Sequence, residues 1–197
     1  APGVIILTAI FTSIFGGVNT LWDRRYGFMN KALTSPISRS AIALGKMSAI
    51  SLIAALQASL IIGIALAIGV TFPNPLMIIP IMGIVILFSL GFSGISVTLA
   101  ATAKSQETFW GMINLLGMPL FMLSPALFPL ELLPNWLAVI AKLNPVTYTV
   151  LLVRELMTGV SEGGVPILIS IAVIFAFVIA MVAIASYVFT REVNKPF

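Results

Sequence analysis

Apolar residues run through this chain in long blocks that short polar segments interrupt. The blocks at 4–21, 47–72, 76–103, 109–128 and 166–190 contain no Asp, Glu, Lys or Arg. Each is about 18 residues or longer, enough for a helix to cross a hydrocarbon core of ~30 Å. A helix is the expected form because lipid offers no partner for unpaired backbone groups. The pattern predicts an all-α, polytopic helical membrane protein with five spans. The polar interruptions differ in kind. Pro73-Asn74-Pro75 is a tight, uncharged hairpin, and Lys104-Ser105-Gln106-Glu107 a short charged one. The segments 22–40 and 129–165 are long enough to hold structure of their own.

Composition agrees and removes several chemistries. Hydrophobic residues make up 60% of the chain, charged ones 8%, and the mean hydropathy is +1.16, far from the quarter charged of a soluble domain. No cysteine is present, so no disulfide, thiolate metal site or cysteine nucleophile can form. No histidine is present either, which removes the commonest general base and metal ligand. No catalytic residue, metal or bound cofactor is expected in the chain itself. The formal charge of +4 reads as a topology determinant beside membrane spans, and nucleic-acid binding is not expected.

Charge also sets the expected orientation. Arg24, Arg25, Lys31, Arg39, Lys46, Lys104, Arg191 and Lys195 share one side of the five spans, against Lys142 and Arg154 on the other. The richer side is expected to be cytoplasmic. The carboxy terminus then lies inside the cell and the amino-terminal end outside, in a multi-pass protein of the plasma or inner membrane. An external, uncleaved start at Ala1 is unusual, so an earlier span and six spans in the intact subunit are expected.

Intramembrane charge usually marks proton relays and ion-coupled carriers, and these spans carry none. Asn19, Gln57, Ser93 and Asn114 are the polar candidates within them. They fit two readings: hydrogen bonds between helices, or the lining of a substrate path. Two enzyme-like patterns fail. Gly91-Phe92-Ser93-Gly94 has the form of a rhomboid protease nucleophile, but a serine needs a base to activate it and no histidine exists. Gly45-Lys46 looks like the end of a phosphate-binding loop, yet Met47 follows the lysine and Ser40 holds the earlier glycine position. Any nucleotide has to be bound by another protein.

The basic, amphipathic connector 22–40 and the residues just after it concentrate the charge. Arg24, Arg25, Lys31, Arg39 and Lys46 are five of the chain's ten Lys and Arg. From 23 to 33 the spacing of Tyr26, Met29 and Leu33 suits a short helix with Arg24 on its polar side, and Ser35-Pro36 stops it. Spacing alone favours a plain basic loop that obeys the positive-inside rule. The order of residues changes that balance. Asp23-Arg24-Arg25-Tyr26-Gly27-Phe28, then Leu33-Thr34-Ser35-Pro36-Ile37-Ser38-Arg39, then Leu44-Gly45-Lys46, resembles the segment after the second span of ABC-2 type transporter permeases. Arg25 stands where that family usually has Glu.

A second block strengthens the resemblance. Leu123-Ser124-Pro125-Ala126-Leu127-Phe128-Pro129-Leu130 is followed by Leu133-Pro134-Asn135-Trp136-Leu137, Leu143-Asn144-Pro145-Val146-Thr147-Tyr148 and Arg154. It is similar to the family's signature between its last two spans. By physics alone, roughly 37 residues from 129 to 165 are too many for a structureless loop. Trp136, Val139, Ile140 and Leu143 share a helical face, Asn144-Pro145 ends it, and a second amphipathic stretch covers 148–158.

The resemblance implies one ABC-2 transmembrane domain over 1–197 that pairs with a second permease copy and with an ABC ATP-binding subunit, which holds the ATP and Mg. It implies a coupling helix involving Asp23, Arg24, Arg25, Tyr26, Gly27, Phe28, Met29 and Leu33. It further implies re-entrant outer-leaflet helices forming a gate with Pro129, Pro134, Trp136, Asn144, Pro145, Tyr148 and Arg154. The expected function is outward movement of a drug, lipid or glycan-type substrate, driven by ATP hydrolysed in a separate subunit. The rival is a secondary carrier or channel subunit with no ATPase.

Overall fold

The computed structural model describes residues 2–29, 34, 36–70, 74–125, 134–159 and 164–192. Among them are seven long or medium helices and no strand. They are α1 (Pro2–Arg25), α2 (Arg39–Ala67), α3 (Ile78–Thr102), α4 (Gln106–Met122), α5 (Asn135–Leu143), α6 (Pro145–Thr158) and α7 (Ile167–Glu192). A 3₁₀ turn, Pro75–Met77, leads into α3, and Asn74 caps it by accepting from the Leu76 N–H at 3.0 Å.

Four segments are long and apolar enough to cross a membrane: α1, α2, the turn with α3, and α7. The bent pair α5–α6 is a fifth only if its two arms count as one span. Where the sequence placed a span at 109–128, α4 has 17 residues and ends at Met122, about 26 Å of helix by rise. Its two ends nevertheless lie at opposite ends of the bundle. Gln106 shares a recess with Trp22 and Arg25 at the end of α1, whereas the Leu120 carbonyl accepts from Asn144.

Helix ends depart from the apolar blocks for local reasons. Helix α1 continues past Leu21 through Arg25, because nothing from Trp22 to Arg25 breaks a helix, and stops where Gly27 takes a φ of 76°. A left-handed residue closes a helix at little cost when it is glycine. Helix α2 starts at Arg39, well before the expected 47, because Ser38 caps it and its hydroxyl accepts from the Ala41 N–H. Lys46 is therefore inside a helix rather than in a loop.

Helices α1 and α3 form the centre of the bundle. They cross closely: a Cβ on Gly17 would lie 2.7 Å from the Ser96 Cβ and 2.8 Å from its carbonyl oxygen. The Ser96 hydroxyl donates to the Ser13 carbonyl at 2.6 Å, and the Ser13 hydroxyl to the Ala9 carbonyl. Small residues at such a crossing let backbones approach as membrane helices prefer. Phe177 of α7 stacks on Phe88 of α3, and Phe92 is tilted against both rings. The exterior is apolar too, with Leu52, Leu56 and Leu60 of α2 and Leu168 and Ile179 of α7 exposed. A helix apolar on both its packed and outer faces belongs in lipid.

Candidate functional site: the basic end, the α1 grooves and the bent pair

The connector divides into residues that tie the bundle and residues that face out. Asp23 forms an ion pair with Lys46, joining α1 to α2. Half-buried Arg24 donates from Nη1 to the carbonyls of Ala100 at 2.8 Å, Ala101 at 2.7 Å and Ala103 at 3.4 Å. Those carbonyls end α3 and lack helical partners, and a cation there also suits the helix dipole. Arg39 donates to the Thr190 carbonyl at 3.3 Å, joining α2 to α7. One end of the bundle is thus cross-linked by basic side chains.

The expected continuous helix over 23–33 is not observed. Asp23, Arg24 and Arg25 complete α1, Tyr26 and Gly27 form a turn, and helical geometry resumes at Phe28 and Met29. Leu33 lies outside the described residues. Met29 is 3% exposed and packs with Ala43, Met47, Val97, Ala101, Ala185 and Phe189, a pocket built by α2, α3 and α7. Just before that anchor in the chain, Tyr26 is 68% and Phe28 60% exposed. Spacing had grouped Tyr26 with Met29, but the turn at Gly27 separates them. Arg25 is exposed beside Lys104.

The polar candidates within the spans separate in the same way. Asn19 and Gln57 line one open groove of about 590 Å³ between α1 and α2, along with Thr8, Thr12, Phe11 and Phe15. Gln57 accepts a hydrogen bond from the Thr12 hydroxyl. Asn114 is exposed in a second groove, between α1 and α4, that Phe11 and Phe15 also line. Ser93 lines neither: it is fully buried and donates to the Leu90 carbonyl at 2.9 Å, beside Met47 of α2. Phe11 and Phe15 were missed by a search for polar groups, although their four-residue spacing marks one face of α1.

At the other end, α5 and α6 meet at 83°. Asn144 forms the joint. Its Oδ1 accepts from the Val146 N–H at 3.0 Å while its Nδ2 donates to the Leu120 carbonyl, and Pro145 opens α6 as a first-turn proline should. Two more bonds staple the bend: the Thr147 hydroxyl to the Ala141 carbonyl, and the Tyr148 hydroxyl to the Lys142 carbonyl, both at 2.7 Å. Arg154 donates to the Pro125 carbonyl at 3.1 Å. Pro134 precedes α5 and its carbonyl accepts from Leu137 and Ala138. Trp136 is exposed with Val139 and Leu143. Pro129 lies outside the described residues. No cluster of metal-ligating side chains occurs among the described residues.

Comparison with known proteins places this architecture. The profile described as "ABC-2 type transporter" matches residues 1–158. The chain is 31% identical over 156 residues to the "Putative transport permease ycf38" of Cyanophora paradoxa, covering 79% of this chain and 54% of that protein. It is 25% identical over 179 residues to "Nodulation protein J" of Sinorhizobium fredii, covering 89% and 67%. It is also 23% identical over 181 residues to the "Daunorubicin resistance ABC transporter permease protein DrrB1" of Streptomyces coeruleorubidus, covering 89% and 64%. The chain spans about half the length of the ycf38 relatives it matches.

Proposed function

This chain belongs to the ABC-2 type transporter family, and from that premise we propose that it is the permease part of an ATP-driven exporter. In this reading residues 1–197 act as one transmembrane domain beside a second permease copy. A separate ABC subunit binds and hydrolyses ATP with Mg, and no covalent chemistry occurs in this chain. The basic end faces the cytoplasm and the bent pair α5–α6 faces outward, in the cell membrane. The cargo is a drug, lipid or glycan-type molecule, a range supported by the printed names of the drug-resistance and nodulation relatives.

One observation carries the coupling assignment. Met29 is sunk among α2, α3 and α7 while its neighbours Tyr26 and Phe28 project from the same short segment. Exposed aromatics on a segment anchored in the bundle are suited to anchor a partner protein. Displacement of such a partner is passed through Met29 to three helices at once. This is rigid-body switching of packed elements rather than a new fold.

The test replaces Tyr26 and Phe28 together by alanine. Both are exposed, so insertion and melting temperature should stay unchanged. ATP-driven export should fall at least tenfold, and the ATPase should no longer co-purify in mild detergent. Export at the wild-type rate would remove the coupling assignment. Export that runs on an ion gradient without ATP would replace the whole reading by an uncoupled carrier.

A further inference from the structure

The seam between α1 and α4 has a polar head and an apolar body. At the basic end a recess of about 280 Å³ is lined by Trp22, Arg25, Lys104 and Glu107. Neither Arg25 nor Lys104 donates a hydrogen bond to another described residue. Ser105 caps α4, its hydroxyl accepting from the Thr108 N–H at 3.1 Å, and the Glu107 carboxylate in the same recess is within electrostatic reach of Arg25. Deeper in the same seam lies a trough of about 260 Å³ whose surface is almost wholly carbon, with Ile14, Phe15, Trp110 and Ile113 among its walls. Phe15 and Trp110 meet edge to face across it, with ring centroids 5.5 Å apart.

The spacing between head and body is that of a lipid. Arg25 and Phe15 are ten residues apart on α1, about 15 Å of helix, which is half of a ~30 Å hydrocarbon core. We propose that the α1–α4 seam binds one anionic phospholipid, its phosphate between Arg25 and Lys104 and an acyl chain along Phe15 and Trp110. Basic pockets between spans at the membrane surface take phosphate headgroups by charge. The trough explains why a lipid is the occupant rather than free phosphate, which has nothing to place there. Trp22, exposed at the boundary, suits the headgroup level. This site is independent of the coupling assignment.

The seam carries its own reporters, since Trp22 and Trp110 both line it. In the intact protein with Trp136→Phe, reconstituted in phosphatidylcholine vesicles, brominated phosphatidylglycerol should quench fluorescence at a lower mole fraction than brominated phosphatidylcholine. Arg25→Gln and Lys104→Gln should each raise the half-quenching fraction about fivefold, the equivalent of ~1 kcal/mol per cation. Glu107→Gln should lower it, a gain that misfolding cannot produce. Arg191→Gln, at the same end but stacked on Tyr187, should change nothing. Equal quenching by the two lipids would overturn the proposal, as would an equal effect of Arg191→Gln, the mark of a diffuse surface field. Absent quenching by either lipid would show that protein, such as a second copy, covers the seam. Loss of the preference on adding millimolar glycerol phosphate would mean a free-phosphate site.

Discussion

Arg24 and Arg25 are neighbours with the same charge, yet the structure gives them different work, and Arg24→Ala separates the two roles. The guanidinium of Arg24 makes two short bonds to the Ala100 and Ala101 carbonyls and a longer third to Ala103. Hydrogen bonds to a charged group contribute about 1.5–3 kcal/mol each when sheltered. Arg24 is only half-buried and water can replace part of what is lost, so a total of ~2–3 kcal/mol is the reasonable figure. The favourable position at the end of α3 adds at most ~1 kcal/mol. For a chain of this length each kcal/mol moves the melting temperature by about 2–4 °C. Arg24→Ala should therefore melt about 5–10 °C below wild type in detergent, followed by intrinsic fluorescence. Arg24→Lys should fall between, because an ammonium keeps the charge but its shorter side chain does not reach as far as the Nη1 that makes all three bonds. Arg25→Ala, exposed and without such bonds, should melt with wild type. An unshifted Arg24→Ala would refute the clamp and return Arg24 to the outward-facing residues.

Three further variants test the packing described above. Gly17→Ala places a methyl against the Ser96 backbone and should destabilise by ~1–3 kcal/mol, read as a lower melting temperature. Gly117→Ala meets only the flexible tip of Ile14, at 3.0 Å, and should stay within ~0.5 kcal/mol of wild type. Asn144→Ala removes the α6 cap and the bond to Leu120, and should cost ~1–2 kcal/mol; unchanged protease resistance of the α5–α6 joint would contradict it.

How much of this could be read in advance depends on what carried the signal. Apolar runs announce helices because burial in lipid is a property of the whole run, so α1, α2, α3 and α7 were legible. Their ends were not. Helix α2 begins at Arg39 because a single hydroxyl, that of Ser38, finds the Ala41 N–H, and Lys46 sits within it because Asp23 is at hand. A rule that expels charge from spans cannot anticipate a partner on another helix. The joint at Asn144-Pro145 was legible because proline fixes φ and lacks an N–H wherever it occurs. Polarity alone was a poor guide to the grooves. Ser93 satisfies its hydroxyl on a nearby carbonyl, as serines in helices commonly do, while Phe11 and Phe15, which line both grooves, carry no polar atom.

Stiffness is distributed unevenly through the bundle, and this bears on how a push at the connector would travel. Helices α1 and α3 are bound by backbone approach at Gly17, by the Ser96–Ser13 bond and by the Arg24 clamp. Helix α3 is joined just as closely to α7, where a Cβ on Gly94 would come within 3.0 Å of the Met181 carbonyl. In the proposed coupling, movement of Met29 would carry α3 and α7, and α1 with them, as one block, since close-packed interfaces do not deform gradually. Helix α4 is different. Only Phe109, Ile113 and Gly117 of its residues are buried, its neighbours are few, and Pro119 removes a hydrogen bond near its end. Yet α4 is tied at that end to the bent pair through Asn144 and Arg154. Among the described helices the α1–α4 seam is thus the loosely packed joint, and the element beside it is the one tied to the bent pair. A small cost for Gly117→Ala beside a large one for Gly17→Ala is the difference this mechanics requires.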